Sequence, residues 1–273
     1  MILKTKNYAP ALFTEIKEEN ITMFNDLVKL DRGNLICIAA RPGMGKTSLA
    51  LHMALEYAKK SFKTVYIFTL EMSAKQIYRR IISYLAEVDL HKLDNNSLSN
   101  EQKETVERAE EYLKTLNIVI DDEPMLTVDQ VEERLEKENN LGLVIIDYLE
   151  LLTANGKFKN RVHEISEISR KLHILTKRKN VPLIFIKQLS REIDYREDRR
   201  PRLRDLRDFG CIEQDANTVI FIYRGEYYKG VTEECSTAEI IIAKNRYDAL
   251  GTVLLEWRGR YMKFSEVDKK CEM

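Results

Sequence analysis

The sequence predicts an α/β domain with a mainly parallel central sheet, flanked by helices, and an antiparallel extension at its C-terminal end. Three observations favour this fold class. Apolar, β-rich runs recur between helical patterns along the chain. These runs are continuous rather than alternating, which is typical of parallel strands that are covered on both faces. From Val219 onward, strand patterns follow one another with turns and no long helix between them, as in antiparallel pairing.

The length of 273 residues suits one large domain, or one domain with an arm. Residues 1–20 are interpreted as a short N-terminal arm, in which the segment after Pro10 is predicted to form a short amphipathic linker helix. Residues 21–273 are interpreted as a single domain, because we find no repeat, low-complexity tract or interdomain linker.

Nine strands are predicted within this domain. In chain order they are Leu35–Ala39, Val65–Leu70, Ile118–Ile120, Leu143–Ile146, Leu183–Ile186, Val219–Tyr223, Ile240–Ile242, Gly251–Trp257 and Tyr261–Phe264. Two of the intervening helices carry a recognisable start signal, since Ser99-x-x-Gln102 and Thr127-x-x-Gln130 both have the form of a capping box.

Composition excludes several classes of protein. A hydrophobic content of 44% and a charged content of 32% describe a soluble globular protein. Lys+Arg and Asp+Glu both number 44, so any nucleic-acid surface must be local. The cysteines and histidines form no zinc motif, and no apolar run is long enough for a membrane span. We therefore expect a cytoplasmic protein with reduced thiols and no membrane partner.

Residues 37–47 read C-I-A-A-R-P-G-M-G-K-T, an apolar strand that runs into a glycine-rich turn. Gly43 and Gly45 allow successive N–H groups to curl around an anion, Lys46 reaches the outer phosphates, and the Thr47 hydroxyl can ligate Mg²⁺. The common pattern has glycine where this chain has Ala40. The alternative is a strand–turn–helix with an incidental lysine. The predicted nucleotide-binding residues of this segment are Ala40, Arg41, Pro42, Gly43, Met44, Gly45, Lys46, Thr47 and Ser48.

Polar side chains follow three more of the predicted strands, where ligands of parallel sheets bind. Asp147 closes the run L-V-I-I-D, which is typical of the acid that holds Mg²⁺ in nucleotide hydrolases. Glu71 is a candidate to orient and deprotonate the attacking water, and otherwise a carboxylate at a helix start. Gln188 is a candidate γ-phosphate sensor, although the residue alone does not decide this.

Lys187–Arg207 is the most basic stretch of the chain, and it has no apolar periodicity. It is predicted to be a long surface loop whose arginines contact a phosphate backbone, with a solvated charged loop as the alternative. Further on, Lys244 and Arg246 follow a predicted strand. They are either surface charges or a cationic pair that completes the nucleotide site of a neighbouring subunit.

The order of motifs resembles the hexameric replicative DNA helicases of the DnaB type, in their RecA-like C-terminal ATPase domain. The matching segments cover roughly residues 32–265. They read A-A-R-P-G-M-G-K-T, F-T-L-E-M-S, L-V-I-I-D-Y-L-E-L-L, E-I-S-R-K-L, K-Q-L-S-R, R-R-P-R-L-R-D-L-R-D-F-G-C-I-E-Q-D-A and I-I-A-K-N-R. The resemblance implies a RecA-like P-loop NTPase fold, with ATP and Mg²⁺ bound and ATP hydrolysed during DNA replication.

The resemblance also implies roles for individual residues. Lys46, Glu71 and Gln188 would act in catalysis, and Thr47 and Asp147 would hold the metal. Arg80 would lie near the nucleotide. Lys244 and Arg246 would be supplied in trans within a homo-oligomer, expected to be a hexameric ring. The loop carrying Arg207, Asp208 and Gly210 would grip single-stranded DNA.

The chain departs from the family pattern at a few positions. Glu150 stands where the family usually has glutamine, and Asp208-Phe209 replaces the commoner Glu-Ser. Phe209 would either stack on a base or pack internally. The family also carries an N-terminal collar where this sequence has the arm of residues 1–20.

Three hypotheses follow. The first is a ring-forming ATPase that translocates on single-stranded DNA and unwinds duplex. The second is an ATP-binding regulatory or assembly factor that co-assembles with a full-length replicative helicase without unwinding by itself, and the short arm favours it. The third is a recombinase-like filament ATPase, against which the F-T-L-E-M-S and I-E-Q-D-A segments argue. A helicase loader or a full-length helicase is a candidate partner of the chain.

Overall fold

The computed structural model describes residues 2–4, 28–209, 211–229 and 235–267, with the backbone alone at 207–209, 229 and 235. Within these ranges, ten strands form one sheet in the order β1-β4-β3-β5-β6-β2-β7-β8-β9-β10. The strands are β1 Ile2–Lys4, β2 Leu35–Ala40, β3 Thr64–Thr69, β4 Ile118–Asp121, β5 Leu141–Asp147, β6 Leu183–Gln188, β7 Thr218–Tyr223, β8 Cys235–Asn245, β9 Gly251–Arg258 and β10 Lys263–Glu266.

The helices of the described ranges connect these strands. They are α1 Lys46–Ser61, α2 Ala74–Ala86, α3 Leu90–Asp94, α4 Asn100–Thr115, α5 Val128–Glu136, α6 Arg161–Lys179, α7 Ile212–Asp215 and α8 Gly225–Lys229. Short 3₁₀ turns are η1 Leu149–Leu151, η2 Arg191–Tyr195, η3 Leu203–Phe209 and η4 Gly259–Tyr261. None of the helices in the described part of the chain has both the length and the apolar character needed to cross a lipid bilayer.

The predicted sheet is confirmed. The six strands from β4 across to β7 pair in parallel, and β8, β9 and β10 extend the sheet antiparallel to one another. Both predicted capping boxes are present, at the first turns of α4 and α5. The edge strand β1, which pairs antiparallel with β4, was not predicted. The rest of the arm lies outside the described residues, and with it the predicted linker helix.

Continuous apolar strands are explained by two separate core layers, one on each face of the sheet. In β2, Ile36 and Ile38 pack with α1, α2 and α4, whereas Leu35 and Cys37 pack with α5 and α6. Because successive side chains of a strand point to opposite faces, a strand covered by helices on both sides must be apolar throughout. The helices therefore leave only the strand ends open to polar ligands.

His52 is a polar residue within the first of these layers, on α1. It is fully buried, its Nδ1 lies 2.6 Å from Tyr84 Oη, and its Nε2 has no hydrogen-bond partner among the described residues. Burial lowers the pKa of His52 to about 4, and the nearby charges of Lys263 and Lys60 act in the same direction. The folded protein therefore holds this imidazole in its neutral form.

This burial predicts an acid-sensitive contribution to stability. An unfolded histidine titrates near its ordinary pKa of 6.5, so the contribution is complete above that pH and is lost as the pH falls toward 4. Between pH 7 and 4.5 we expect His52 to account for about 2 kcal/mol of the fall in the free energy of unfolding. Urea denaturation of wild type and His52→Met across this range measures it. The exposed His91→Gln is the control, and equal pH dependence in wild type and His52→Met would contradict the prediction.

Candidate nucleotide-binding site

A pocket with a volume of about 520 Å³ lies at the carboxyl ends of β2, β3, β5 and β6. The side chains that the sequence places after separate strands meet in this pocket. The residues that line the pocket are Pro42, Gly43, Gly45, Lys46, Thr47, Ser48, Glu71, Met72, Gln76, Arg80, Asp147, Tyr148, Gln188, Trp257 and Met262.

The phosphate loop leads from β2 into α1, and its glycines have a structural reason. Gly43 has a φ of 75° and Gly45 a φ of 100°, in the left-handed region that other residues rarely adopt. Gly45 is also the N-cap of α1, and a Cβ added there would come within 2.8 Å of the Phe264 ring. The loop can therefore present backbone N–H groups and a helix N-terminus to an anion.

Lys46 is the main cation of the loop. Its Nζ donates a hydrogen bond to the Arg41 carbonyl oxygen at 3.1 Å, so the side chain curls over the loop. Burial lowers the pKa of Lys46, while the carboxylates of Asp147, Glu150 and Glu71 oppose that shift. An ammonium withdrawn from water in this way gains from a bound anion, and phosphate oxygens would provide one.

Asp147 and Thr47 have the chemistry of a magnesium site. Thr47 Oγ1 donates to Asp147 Oδ2 at 2.7 Å, which brings a hydroxyl and a carboxylate oxygen together. Burial raises the pKa of Asp147, and the nearby Glu71 carboxylate adds to the effect, whereas the Thr47 hydroxyl opposes it. Mg²⁺ prefers oxygen ligands and takes few from the protein when phosphates supply others. A hydroxyl and a carboxylate oxygen that lie together therefore fit a metal whose other ligands are phosphate oxygens.

Glu71 lies beside Asp147 because the backbone ties their strands together. The Leu70 N–H donates to the Asp147 carbonyl oxygen at 2.7 Å. Just after Glu71, Ser73 and Gln76 form a capping box that begins α2, so the sequence pattern S-A-K-Q marks the start of this helix. The exposed Glu71 carboxylate therefore faces the pocket from a short, fixed connection.

Arg80 faces the same pocket from α2, one turn beyond Gln76. Burial lowers the pKa of the Arg80 guanidinium, and the carboxylates of Asp147 and Glu71 oppose that shift. Gln188 completes the set from the last position of β6, where its exposed side chain lines the pocket.

Three predicted loop residues do not line the pocket with their side chains. Ala40 and Met44 are buried in the core. Arg41 turns away toward η2, where its Nη2 donates to Asp194 Oδ2 at 2.8 Å and its Nη1 to the Leu189 carbonyl oxygen at 2.8 Å. Their part in binding is thus limited to the backbone and to the support of the loop.

Lys244 and Arg246 lie at the opposite end of the sheet from the pocket of their own chain. Antiparallel pairing sets Lys244 opposite Val219, near the start of β7, whereas the pocket lies beyond the ends of the parallel strands. Both cations bind the carboxyl end of α7. Lys244 Nζ donates to the Ala216 carbonyl oxygen at 2.7 Å, and Arg246 Nη2 to that of Gln214 at 2.7 Å.

The basic stretch from Lys187 to Arg207, predicted to be a long surface loop, departs from that prediction at its first residue. Lys187 belongs to β6, its side chain is 1% exposed and it pairs with Glu150, so it is not a surface cation. Several arginines are engaged by acids of the stretch, by Glu239 on β8 or by a tyrosine ring: Arg196 with Asp205, Arg200 with Glu239 and Asp198, Arg202 with Asp198, and Arg199 over Tyr228. Local pairing explains why the stretch folds into η2 and η3.

The predicted DNA-binding residues remain a prediction. Gly210 lies outside the described residues, as do the side chains of Arg207 and Asp208, whose backbone forms the end of η3. The loop they belong to leads directly into α7, the helix that Lys244 and Arg246 bind.

Trp257 and Met262, from the antiparallel extension, were not predicted to line the site. Trp257 packs against Phe264 with ring centroids 4.7 Å apart, and the Arg224 guanidinium lies 5.3 Å from the centre of its indole. Arg224 also donates to the Gly43 carbonyl oxygen at 3.1 Å. The sequence offers one indication of this position, because the single tryptophan of the chain lies at the end of a predicted strand.

Comparison with known proteins agrees with this geometry. Residues 20–266 match the family described as "DnaB-like helicase C terminal domain". The replicative DNA helicase DnaB of Geobacillus stearothermophilus is 40% identical over 245 residues, which cover 88% of this chain and 54% of that protein. The replicative DNA helicase DnaB of Rickettsia typhi is 36% identical over 276 residues, covering 90% of this chain and 56% of that protein. The chain spans about half the length of these curated relatives.

Solved structures give the same result for the fold. A structure of a DnaB-like replicative helicase, described together with its interactions with primase, superposes with a TM-score of 0.85 at 32% identity, covering 92% of this chain and 62% of that chain. A solved ATPase domain superposes with a TM-score of 0.85 at 32% identity and covers 92% of this chain and 91% of that one. The RecA-like fold class is thereby confirmed.

Proposed function

The chain belongs to the DnaB-like helicase C-terminal domain family, and on that premise we propose that it is the ATP-hydrolysing motor of a ring-forming helicase that moves along single-stranded DNA during replication. One observation carries the proposal: a hydroxyl, two carboxylates, an amide and two cations from separate elements converge on one pocket beside the phosphate loop. The proposed place of action is the cytoplasm.

In the proposed reaction, Lys46 and Arg80 bind the outer phosphates and neutralise their charge. Thr47 and Asp147 would hold Mg²⁺, which would supply further charge neutralisation when bound. The Glu71 carboxylate orients the attacking water and accepts its proton. Gln188 hydrogen-bonds the γ-phosphate and thereby distinguishes ATP from ADP.

The site is proposed to be completed by a second copy of the chain. Lys244 and Arg246 lie too far from the pocket of their own chain to reach it, at the other end of the sheet. In a head-to-tail ring, one end of each subunit meets the opposite end of its neighbour, so every pocket can receive this pair. We propose a homo-oligomeric ring on this basis, and six subunits from the family resemblance. A partnership with a helicase loader is also proposed from the family resemblance.

The test of the proposed function is ATP turnover with and without single-stranded DNA, followed by unwinding of a forked duplex. Stimulated turnover together with unwinding by the chain itself supports the motor. The replicative helicases among the relatives favour this outcome over a regulatory factor. Unwinding that appears only after a full-length helicase is added would overturn the proposal.

We expect Arg207→Ala to weaken binding of single-stranded DNA and to reduce the steepness with which affinity falls with salt. A lost phosphate contact lowers the slope of log affinity against log salt by about 0.7 for a single strand. Fluorescence anisotropy with a labelled oligonucleotide at several salt concentrations measures both effects. Arg178→Ala, an exposed arginine on α6, is the control. An unchanged slope would mean that the stretch Lys187–Arg207 is a solvated charged surface and that Arg207 does not contact DNA.

A further inference from the structure

Glu150 connects two strand ends that carry residues of the pocket. It lies on η1, just beyond Asp147 at the end of β5. Its Oε1 accepts hydrogen bonds from Lys187 Nζ and from the backbone N–H of Gln188, the latter at 3.2 Å. One carboxylate oxygen thus holds both of the last two residues of β6.

The strand pairing explains why a side chain is needed there. Parallel pairing between β5 and β6 ends at Ile146 opposite Phe185, whereas β6 stays paired with β2 as far as Gln188 opposite Ala40. On the β5 side, the Gln188 N–H therefore lies beyond the backbone ladder. The Glu150 carboxylate takes the place of the missing strand carbonyl.

The position of Lys187 explains why the acceptor is a charged group. Its side chain is 1% exposed, and that of Glu150 is 20% exposed. Burial lowers the pKa of Lys187, and the Glu150 carboxylate opposes the shift. Replacing both partners of a buried ion pair with apolar residues is often neutral for stability, whereas removing one partner is costly. The pair is thus better explained by what it positions than by a gain in stability.

We propose that Glu150 is a positioning residue, whose carboxylate oxygen fixes the end of β6 so that Gln188 faces the γ-phosphate, while Lys187 balances the charge of that carboxylate. The inference rests on the proposed function, since it names what holds the proposed sensor in place. Glu150 does not touch the nucleotide in this role. It acts through the Gln188 backbone, while the buried Lys187 balances the charge of its carboxylate.

Two double variants test the proposal, because both remove the charges and only one removes the acceptor. Glu150→Gln with Lys187→Met keeps an oxygen that can accept the Gln188 N–H. Glu150→Met with Lys187→Met does not, and Glu150→Leu replaces Glu150→Met if that protein does not fold. The measurements are ATP turnover by the full chain and equilibrium affinities for ADP and for a non-hydrolysable ATP analogue. Each pair is also made with Gln188→Ala.

We expect Glu150→Gln with Lys187→Met, the glutamine pair, to keep wild-type turnover. Glu150→Met with Lys187→Met, the methionine pair, should lose at least about tenfold in turnover, the effect of a misplaced contact. The methionine pair should bind ADP normally and lose about tenfold in its preference for the ATP analogue, the usual effect of a lost hydrogen bond to a charged group. With Gln188→Ala the two pairs should become equal.

Two results would overturn the inference: equal behaviour of the two pairs with Gln188 present, or a difference that persists with Gln188→Ala. A wild-type chain that binds neither nucleotide and shows no turnover would instead overturn the proposed function itself. The two failures are therefore distinguishable.

Discussion

Lys46→Ala and Glu71→Gln will both abolish ATP hydrolysis, and they will differ in nucleotide binding. Lys46→Ala removes the partly buried ammonium at the phosphate loop, so we expect affinity for ATP to fall together with turnover. Glu71→Gln keeps the shape of the side chain and removes the proposed base. Its turnover should fall by at least about 100-fold, the contribution of a general base, while ATP binding is retained.

Phosphate release and equilibrium binding of a fluorescent nucleotide measure the two effects separately. Glu104→Gln, an exposed glutamate on α4 away from the pocket, is the matched control and should behave as wild type. A Glu71→Gln protein that still hydrolyses ATP would show that another group deprotonates the water. Loss of binding in Glu71→Gln would assign this carboxylate to the support of the pocket instead.

The strand ends were predictable because they obey simple geometry. Parallel strands expose their carboxyl ends on one edge of the sheet, so the sequence alone predicts that Asp147 and Gln188 lie near Lys46. The apolar runs located those strands to within a few residues. Local patterns were therefore sufficient for the part of the site that lies at the strand ends.

Other parts depend on contacts between residues far apart in sequence. A lysine in a basic stretch indicates a surface charge. Lys187 is nevertheless buried, because the Glu150 carboxylate reaches it from another strand end and pairs with it. Similarly, Trp257 reaches the pocket only because β9 and β10 fold back over the phosphate loop. Lys244 lies at the far end of the sheet because β8 runs antiparallel to β7. The predicted antiparallel extension implies this direction.

Arg246→Ala is the second change for which we expect a large effect. If Arg246 stabilises the phosphoryl group in a neighbour's pocket, its loss should lower turnover by about 1,000-fold or more, as for other arginine fingers. ATP hydrolysis in the presence of single-stranded DNA measures the effect, and Arg178→Ala is the control. Turnover equal to wild type would remove Arg246 from the site altogether.

Arg246 also donates to the Gln214 carbonyl oxygen, so a loss of activity in the variant alone has two explanations. Mixing Arg246→Ala with Glu71→Gln subunits separates them. If the arginine acts in trans, roughly a quarter of the interfaces in mixed rings pair an intact Glu71 with an intact Arg246 from the next subunit, and turnover returns. If Arg246 acts only within its own chain, every subunit in the mixture still carries a defect and no turnover returns. An inactive mixture, in rings shown to contain both subunits, would therefore refute the trans assignment. The direction of β8 already leaves Arg246 no route to the pocket of its own chain.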